Sequence, residues 1–181
     1  MAKNKPAEQI SLQKVKEHLG DSSKNLAELT VNMVIEKPEL IEPLLEISCS
    51  GNEPWSQRAS RVVSICCCRF PEMLKPHVSR IINHLGKLES DGPLRNFLKI
   101  FSEVPLNLSN RNKSILLNLC FDYLAGNYSI AVKAYSMDVL YHLSTEIPEI
   151  KNELGVLIET QMPEFSVGLK SRGKKILKKL A

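Results

Sequence analysis

Aromatic side chains make up only 6% of the 181 residues, with one tryptophan, and glycine occurs 8 times. Glycine this sparse leaves no material for a phosphate-cradling loop, and neither a P-loop nor G-x-G-x-x-G occurs. H-E-x-x-H and G-x-S-x-G are also missing, so the chain reads as non-enzymatic, without cofactor or metal. No apolar run approaches the ~20 residues of a membrane-spanning helix. The polar stretch 1–11 has no apolar core of a secretory signal. Cysteines number 5, with no C-x-x-C and with Cys66, Cys67 and Cys68 adjacent. That argues against a disulfide framework and points to a reducing, cytoplasmic setting, in which the sequons at Asn107, Asn112 and Asn127 go unused. Adjacent helical residues point about 100° apart, so three neighbouring thiols cannot converge on one ion and read as core. Cys49 and Cys120 read the same way. His77 and His84 are about 10 Å apart along a helix, too far to share a metal. His18 and His142 are isolated.

No run of β-branched residues alternates with period two. Apolar residues recur instead at three and four, as in Leu40, Ile41, Leu44, Leu45 and in Ile81, Ile82, Leu85, Leu88. This is the pattern of amphipathic helix, and it predicts roughly ten helices of about 11 to 18 residues. Proline punctuates it. Pro38-Glu39-Leu40, Pro71-Glu72-Met73, Pro105-Leu106 and Pro148-Glu149-Ile150 open successive units at spacings of 33, 34 and 43 residues. The stretch from Ser129 to Leu143 aligns without gaps on that from Ser166 to Leu180. A helix pair cannot bury its apolar stripe alone, so such units must stack. The reading is all-α, an α-α superhelix of four to five helix pairs. Residues 1–21 form a polar segment and capping helix, and 22–181 a single solenoid domain.

Trp55-Ser-Gln-Arg58-Ala59, Ile130-Ala-Val-Lys133-Ala134 and Val167-Gly-Leu-Lys170-Ser171 resemble the start of the second helix in HEAT repeats. Proline-led helices such as 38–47 resemble the first helix. More narrowly, 91–98, 130–137 and 171–177 resemble a short helical-repeat family of Bacteroidota to which no chemistry is attached. Some of its members carry a lyase name. This chain is far shorter than those lyases and lacks their Gly-Ser-Ser signature loop, so the name does not transfer.

Arg58, Arg95, Lys133 and Lys170 recur at 37, 38 and 37 residues, with Lys24 upstream. Stacking would set these bases in a row. They form either a cationic track for a polyanion or an internal ladder. In a ladder each base pairs within the preceding turn, where Asn52, Glu53, Asp91, Asn127 and Glu164 are candidates. The net charge of +4 divides by helix type. Second helices, taken as 22–37, 54–70, 93–103, 129–146 and 166–180, sum to +9; first helices, taken as 38–50, 71–89, 106–125 and 148–164, sum to −4. The resemblance to HEAT repeats implies that second helices line a concave face, hence a positive one. Residues 170–181 carry six bases and no acid around the stripe Leu169, Gly173, Ile176, Leu177 and Leu180. This helix caps the solenoid, and its bases suit an anionic surface as well.

The expected function is a binding scaffold that engages an acidic protein segment through Arg58, Arg61, Arg95, Lys99, Lys133, Lys170, Arg172, Lys174 and Lys175. Nucleic acid, held through its phosphates, is the alternative partner. Helical-repeat DNA glycosylases share the architecture, and only Trp55, Tyr128, Tyr135 and Asp138 offer raw material for that chemistry.

Overall fold

The computed structural model describes residues 13–180, so most of the N-terminal polar segment, 1–12, lies outside the described residues. Within them the regular structure is helical throughout, with no strand. Helix α1 covers 13–18. It is followed by α2 (Lys24–Glu36), α3 (Ile41–Ser48), α4 (Trp55–Arg69), α5 (Val78–Leu85), α6 (Asp91–Glu103), α7 (Asn110–Ala125), α8 (Ile130–Glu146), α9 (Lys151–Gln161) and α10 (Val167–Leu180).

The proline motifs build one joint three times. Pro38–Leu40, Pro71–Met73 and Pro148–Ile150 are each a single 3-10 turn. The residue before each proline is driven out of the helical region by the pyrrolidine ring. Lys37, Phe70 and Ile147 accordingly sit at φ/ψ of −135/79, −132/79 and −127/77. Their N–H groups close the preceding helix on the carbonyls of Met33, Cys66 and Leu143. The same sequence phrase thus ends one helix and aims the next.

Two departures from the periodicity follow from proline chemistry. Helices α3 and α5 have only 8 residues each, because 3-10 turns take over their leading residues. Before α5 a second such turn, Lys75–His77, contains Pro76. Pro105 makes no 3-10 turn. Residues 105–109 have no regular structure, and α7 starts at Asn110 once the Ser109 hydroxyl accepts from the N–H of Asn112 at 3.3 Å.

The described residues form two compact units, 13–78 with 88–97 and 79–87 with 98–180. In the first, α3 and α2 pack on α4 around Val31, Val34, Leu44, Leu45, Val63 and Leu74. In the second, α7 and α10 pack on α8, with Leu116, Leu124, Leu140, Leu154 and Ile158 buried. Each such fully buried side chain contributes about 1.5–3 kcal/mol. Cys66, Cys67 and Cys120 belong to these cores; Cys68 and Cys49 are only half-buried. The difference within the triplet follows from the rotation per residue, which turns Cys68 off the packed side of α4. Burial pushes the Cys66 thiol up to about 12 and raises those of Cys67 and Cys120 as well.

Candidate anion-binding surface

The nine basic residues fall into three groups. Four are held by the fold. Arg58 and Arg61 project from α4, and their Nη1 atoms donate to the carbonyls of Leu19 at 2.8 Å and Ser22 at 3.2 Å. These oxygens lie in the turn after α1, past the last intrahelical hydrogen bond, where a carbonyl needs an outside donor. On α8, Lys133 Nζ donates to Gln161 Oε1 at 3.1 Å, and Gln161 in turn donates to the Ala125 carbonyl at 3.0 Å. Lys133 also lies 6.0 Å from the centre of the Phe165 ring, and burial holds its ammonium below the usual lysine range. On α10, Arg172 Nη1 donates to the Ala134 carbonyl at 3.3 Å and to the Asp138 carboxylate, with Tyr135 beneath it.

Lys99 forms the second group, in a local pair with Glu103 at 3.8 Å. The third has no partner among the described residues: Arg95, Lys174 and Lys175 are exposed and Lys170 half-buried.

An internal ladder therefore exists: of the spaced bases it holds Arg58 and Lys133, it has Asn96 and Arg172 in place of Arg95 and Lys170, and its acceptors are not the ones the spacing suggested. Asn96 Nδ2 donates to the Gln57 carbonyl across 39 residues, the same separation as Arg58 to Leu19 and Arg61 to Ser22. Arg172 reaches Ala134 across 38. The donors Arg58, Asn96 and Arg172 thus fall on multiples of 38 residues, and the position between the last two, Ala134, has no side-chain donor and serves only as the acceptor of Arg172. Arg95 and Lys170 stand one and two residues off this spacing. The acceptors of Arg58 and Arg61 are main-chain carbonyls rather than the side chains of Asn52 or Glu53. Glu53 instead receives the N–H of Gln57 and the hydroxyl of Ser90. Asn96 was missed because its amide is uncharged; the regular spacing from Arg58 was the available signal.

In the N-terminal unit, Arg58, Arg61 and Arg95 border one cavity of about 130 Å³, with His18, Asp21 and Thr30 opposite. The Thr30 hydroxyl donates to the Leu26 carbonyl at 2.8 Å. The 3.2 Å contact between His18 Nδ1 and Thr30 Oγ1 therefore has the imidazole as donor. Arg69, the third arginine of α4, makes a two-pronged pair with Glu28, both bonds at 2.8 Å, and its guanidinium holds that carboxyl below the usual range.

The remaining candidates are taken up by local packing. His77 pairs with Glu42 at 3.3 Å, and His84 Nδ1 donates to the Arg80 carbonyl at 2.8 Å. Among the described residues no His, Cys, Asp and Glu cluster could hold a metal ion. Trp55 borders a cavity with Ile47 and Leu19 in the N-terminal unit. Asp138 is committed to Arg172, and Tyr128 stacks edge-on with Tyr123 at 5.0 Å.

A family model described as a HEAT repeat domain matches residues 15–180. No curated protein and no solved structure matches the chain. Among the described residues no helix is long and apolar enough to cross a membrane.

Proposed function

The chain belongs to the HEAT repeat family, and from that premise we propose that it is a non-enzymatic binding scaffold whose basic second-helix surface engages an acidic segment of a protein partner. One observation carries the reading. Of the nine candidate bases, those that no bond of the fold takes up are Arg95 on α6 and Lys170, Lys174 and Lys175 on α10, three of them exposed and Lys170 half-buried. A structural ladder needs none of them, whereas a ligand rich in carboxylates is attracted by all. The first helices carry the opposite sign, −4 against +9, which disfavours the same ligand there. Free cysteines in packed helices suit a reducing compartment, and the cytoplasm is the proposed location.

The test is titration of the full chain with an Asp/Glu-rich peptide at low salt. Wild type is expected to bind, and Lys174→Glu with Lys175→Glu to weaken binding by about tenfold or more, since opposite-charge contacts become like-charge ones. No binding at low salt, or an unchanged affinity in the double variant, sinks the proposal. Nucleic acid is the competing ligand. Its binding would weaken steeply with salt, through release of condensed counterions, and would show little sequence preference.

A further inference from the structure

We propose that the cavity between Arg58, Arg61 and Arg95 is a receptor for one phosphoryl group, carried as phosphoserine or phosphothreonine on the acidic segment. Three properties of the cavity select this chemistry. Its lining contributes three guanidinium charges against the single carboxylate of Asp21, an excess of two positive charges. A phosphomonoester carries about −1.5 to −2 near neutral pH, whereas a glutamate carries −1. Its volume of about 130 Å³ has room for a phosphoryl group and not for a nucleoside. Its walls contain no Phe, Tyr or Trp on which a base could stack.

The site is also held in shape before any ligand arrives. Arg58 and Arg61 each have one Nη1 fixed on a carbonyl of the 19–22 turn, at 2.8 and 3.2 Å. Their other guanidinium N–H groups have no partner among the described residues. Arginine presents those donors in a planar fork that matches phosphate oxygens two at a time. Asp21 Oδ1 accepts the N–H of Ser23 at 3.2 Å, and among the described residues no hydrogen bond or ion pair joins its carboxylate to any of the three arginines. Arg95, exposed and without a partner among the described residues, supplies the third guanidinium at the rim of the cavity.

This assignment rests on the acidic-segment reading above, and its test separates the two. The full chain is titrated calorimetrically with an Asp/Glu-rich peptide carrying one phosphoserine, with the same peptide unmodified, and with glutamate in that place. The phosphoserine peptide is expected to bind about tenfold or more tightly than either control. Arg95→Gln is expected to bring all three to one affinity with an unchanged Tm, because no bond of the fold depends on Arg95. Equal affinities for wild type, or an undiminished phosphoserine advantage in Arg95→Gln, overturn the pocket. Tighter binding of a single-stranded oligonucleotide than of the phosphopeptide, lost in Arg95→Gln, also overturns it and assigns the arginines to a nucleic-acid backbone. Failure of the unmodified peptide to bind sinks only the acidic-segment reading. The pocket is then judged on inorganic phosphate and free phosphoserine, which must bind wild type and not Arg95→Gln.

Discussion

Arg95 and Asn96 are neighbours on α6 with opposite roles, and helix geometry accounts for the difference. A step of one residue rotates a side chain by about 100°, enough to move it from the contact with α4 to solvent. Asn96 bonds to the Gln57 carbonyl at 3.2 Å and to the Ser60 hydroxyl at 2.9 Å, while Arg95 bonds to neither. Truncating Asn96 to alanine is therefore expected to cost about 1–2 kcal/mol, and truncating Arg95 less than about 0.5 kcal/mol. Urea denaturation of the two variants measures both, and equal costs would remove the distinction between ladder and free base. Asp138 is a residue of a third kind. Burial raises its carboxyl above the usual 3.8 by more than Arg172, His142 and Lys179 lower it. Below 3.8 the group is protonated in both folded and unfolded chains; above its folded value it is ionised in both, at a cost to the fold. Its contribution to stability thus declines as pH rises through that window. Asp138→Asn removes the dependence, so the stability of the variant relative to wild type is expected to increase with pH across the same window. Denaturant titrations at successive pH values check this, and a difference that shrinks with pH contradicts it.

At the scale of the element, α10 shows how a strongly basic helix can still dock. Leu169, Gly173 and Ile176 are buried against α8 and α9, and Lys174, Lys175, Lys178 and Lys179 remain outside. Gly173 permits the close approach: a Cβ there would lie 3.0 Å from Ile158 Cγ2 and 3.1 Å from Met162 Cε. Alanine gains up to about 1 kcal/mol of helix propensity. That gain is offset by the contact with the stiff, buried Ile158, while the flexible Met162 can move aside, so Gly173→Ala is expected to be near neutral. Leucine cannot be relieved in this way, and Gly173→Leu is expected to cost about 1–3 kcal/mol by overpacking. Limited proteolysis should then release the C-terminal helix first; a variant as resistant as wild type would show that α10 is not held by this contact. The stripe and the helix were both readable from residue spacing, because burial of one helix side is what spacing encodes. The joints were readable only as positions. Proline marks Pro38, Pro71 and Pro148 alike, but whether a 3-10 turn follows depends on packing, and at Pro105 it does not. Gly51, at φ 71, is the one residue with positive φ among those described, and Gly51→Ala is expected to cost about 1 kcal/mol by denaturant unfolding.

For the whole molecule, charge was legible in amount and in its division between helix types, but not in its availability. Sequence spacing showed that bases recur on second helices. It could not show that main-chain carbonyls each take up one donor of Arg58, Arg61 and Arg172 and so fix their place, because every residue has a carbonyl and none is marked as unpaired. Nor could it bring His18 and Asp21 beside Arg58, since that contact depends on how α1 packs. The physical claim that follows is that binding is set by where the free bases lie and not by the net charge of +4. A pair of reversals within the N-terminal unit isolates the two. Arg95→Glu removes a free base from a second helix, and Glu39→Lys adds one to the exposed turn before a first helix, leaving the total charge unaltered. Neither position has a bond that the fold depends on, so the double variant is expected to keep the wild-type Tm. Its affinity for an Asp/Glu-rich peptide is nevertheless expected to fall by about tenfold at low ionic strength. The difference should shrink as salt shortens the screening length from about 30 Å at 0.01 M to about 10 Å at 0.1 M. If association followed the total charge instead, wild type and double variant would bind alike at every salt concentration, and the division of charge between helix types would have no bearing on binding.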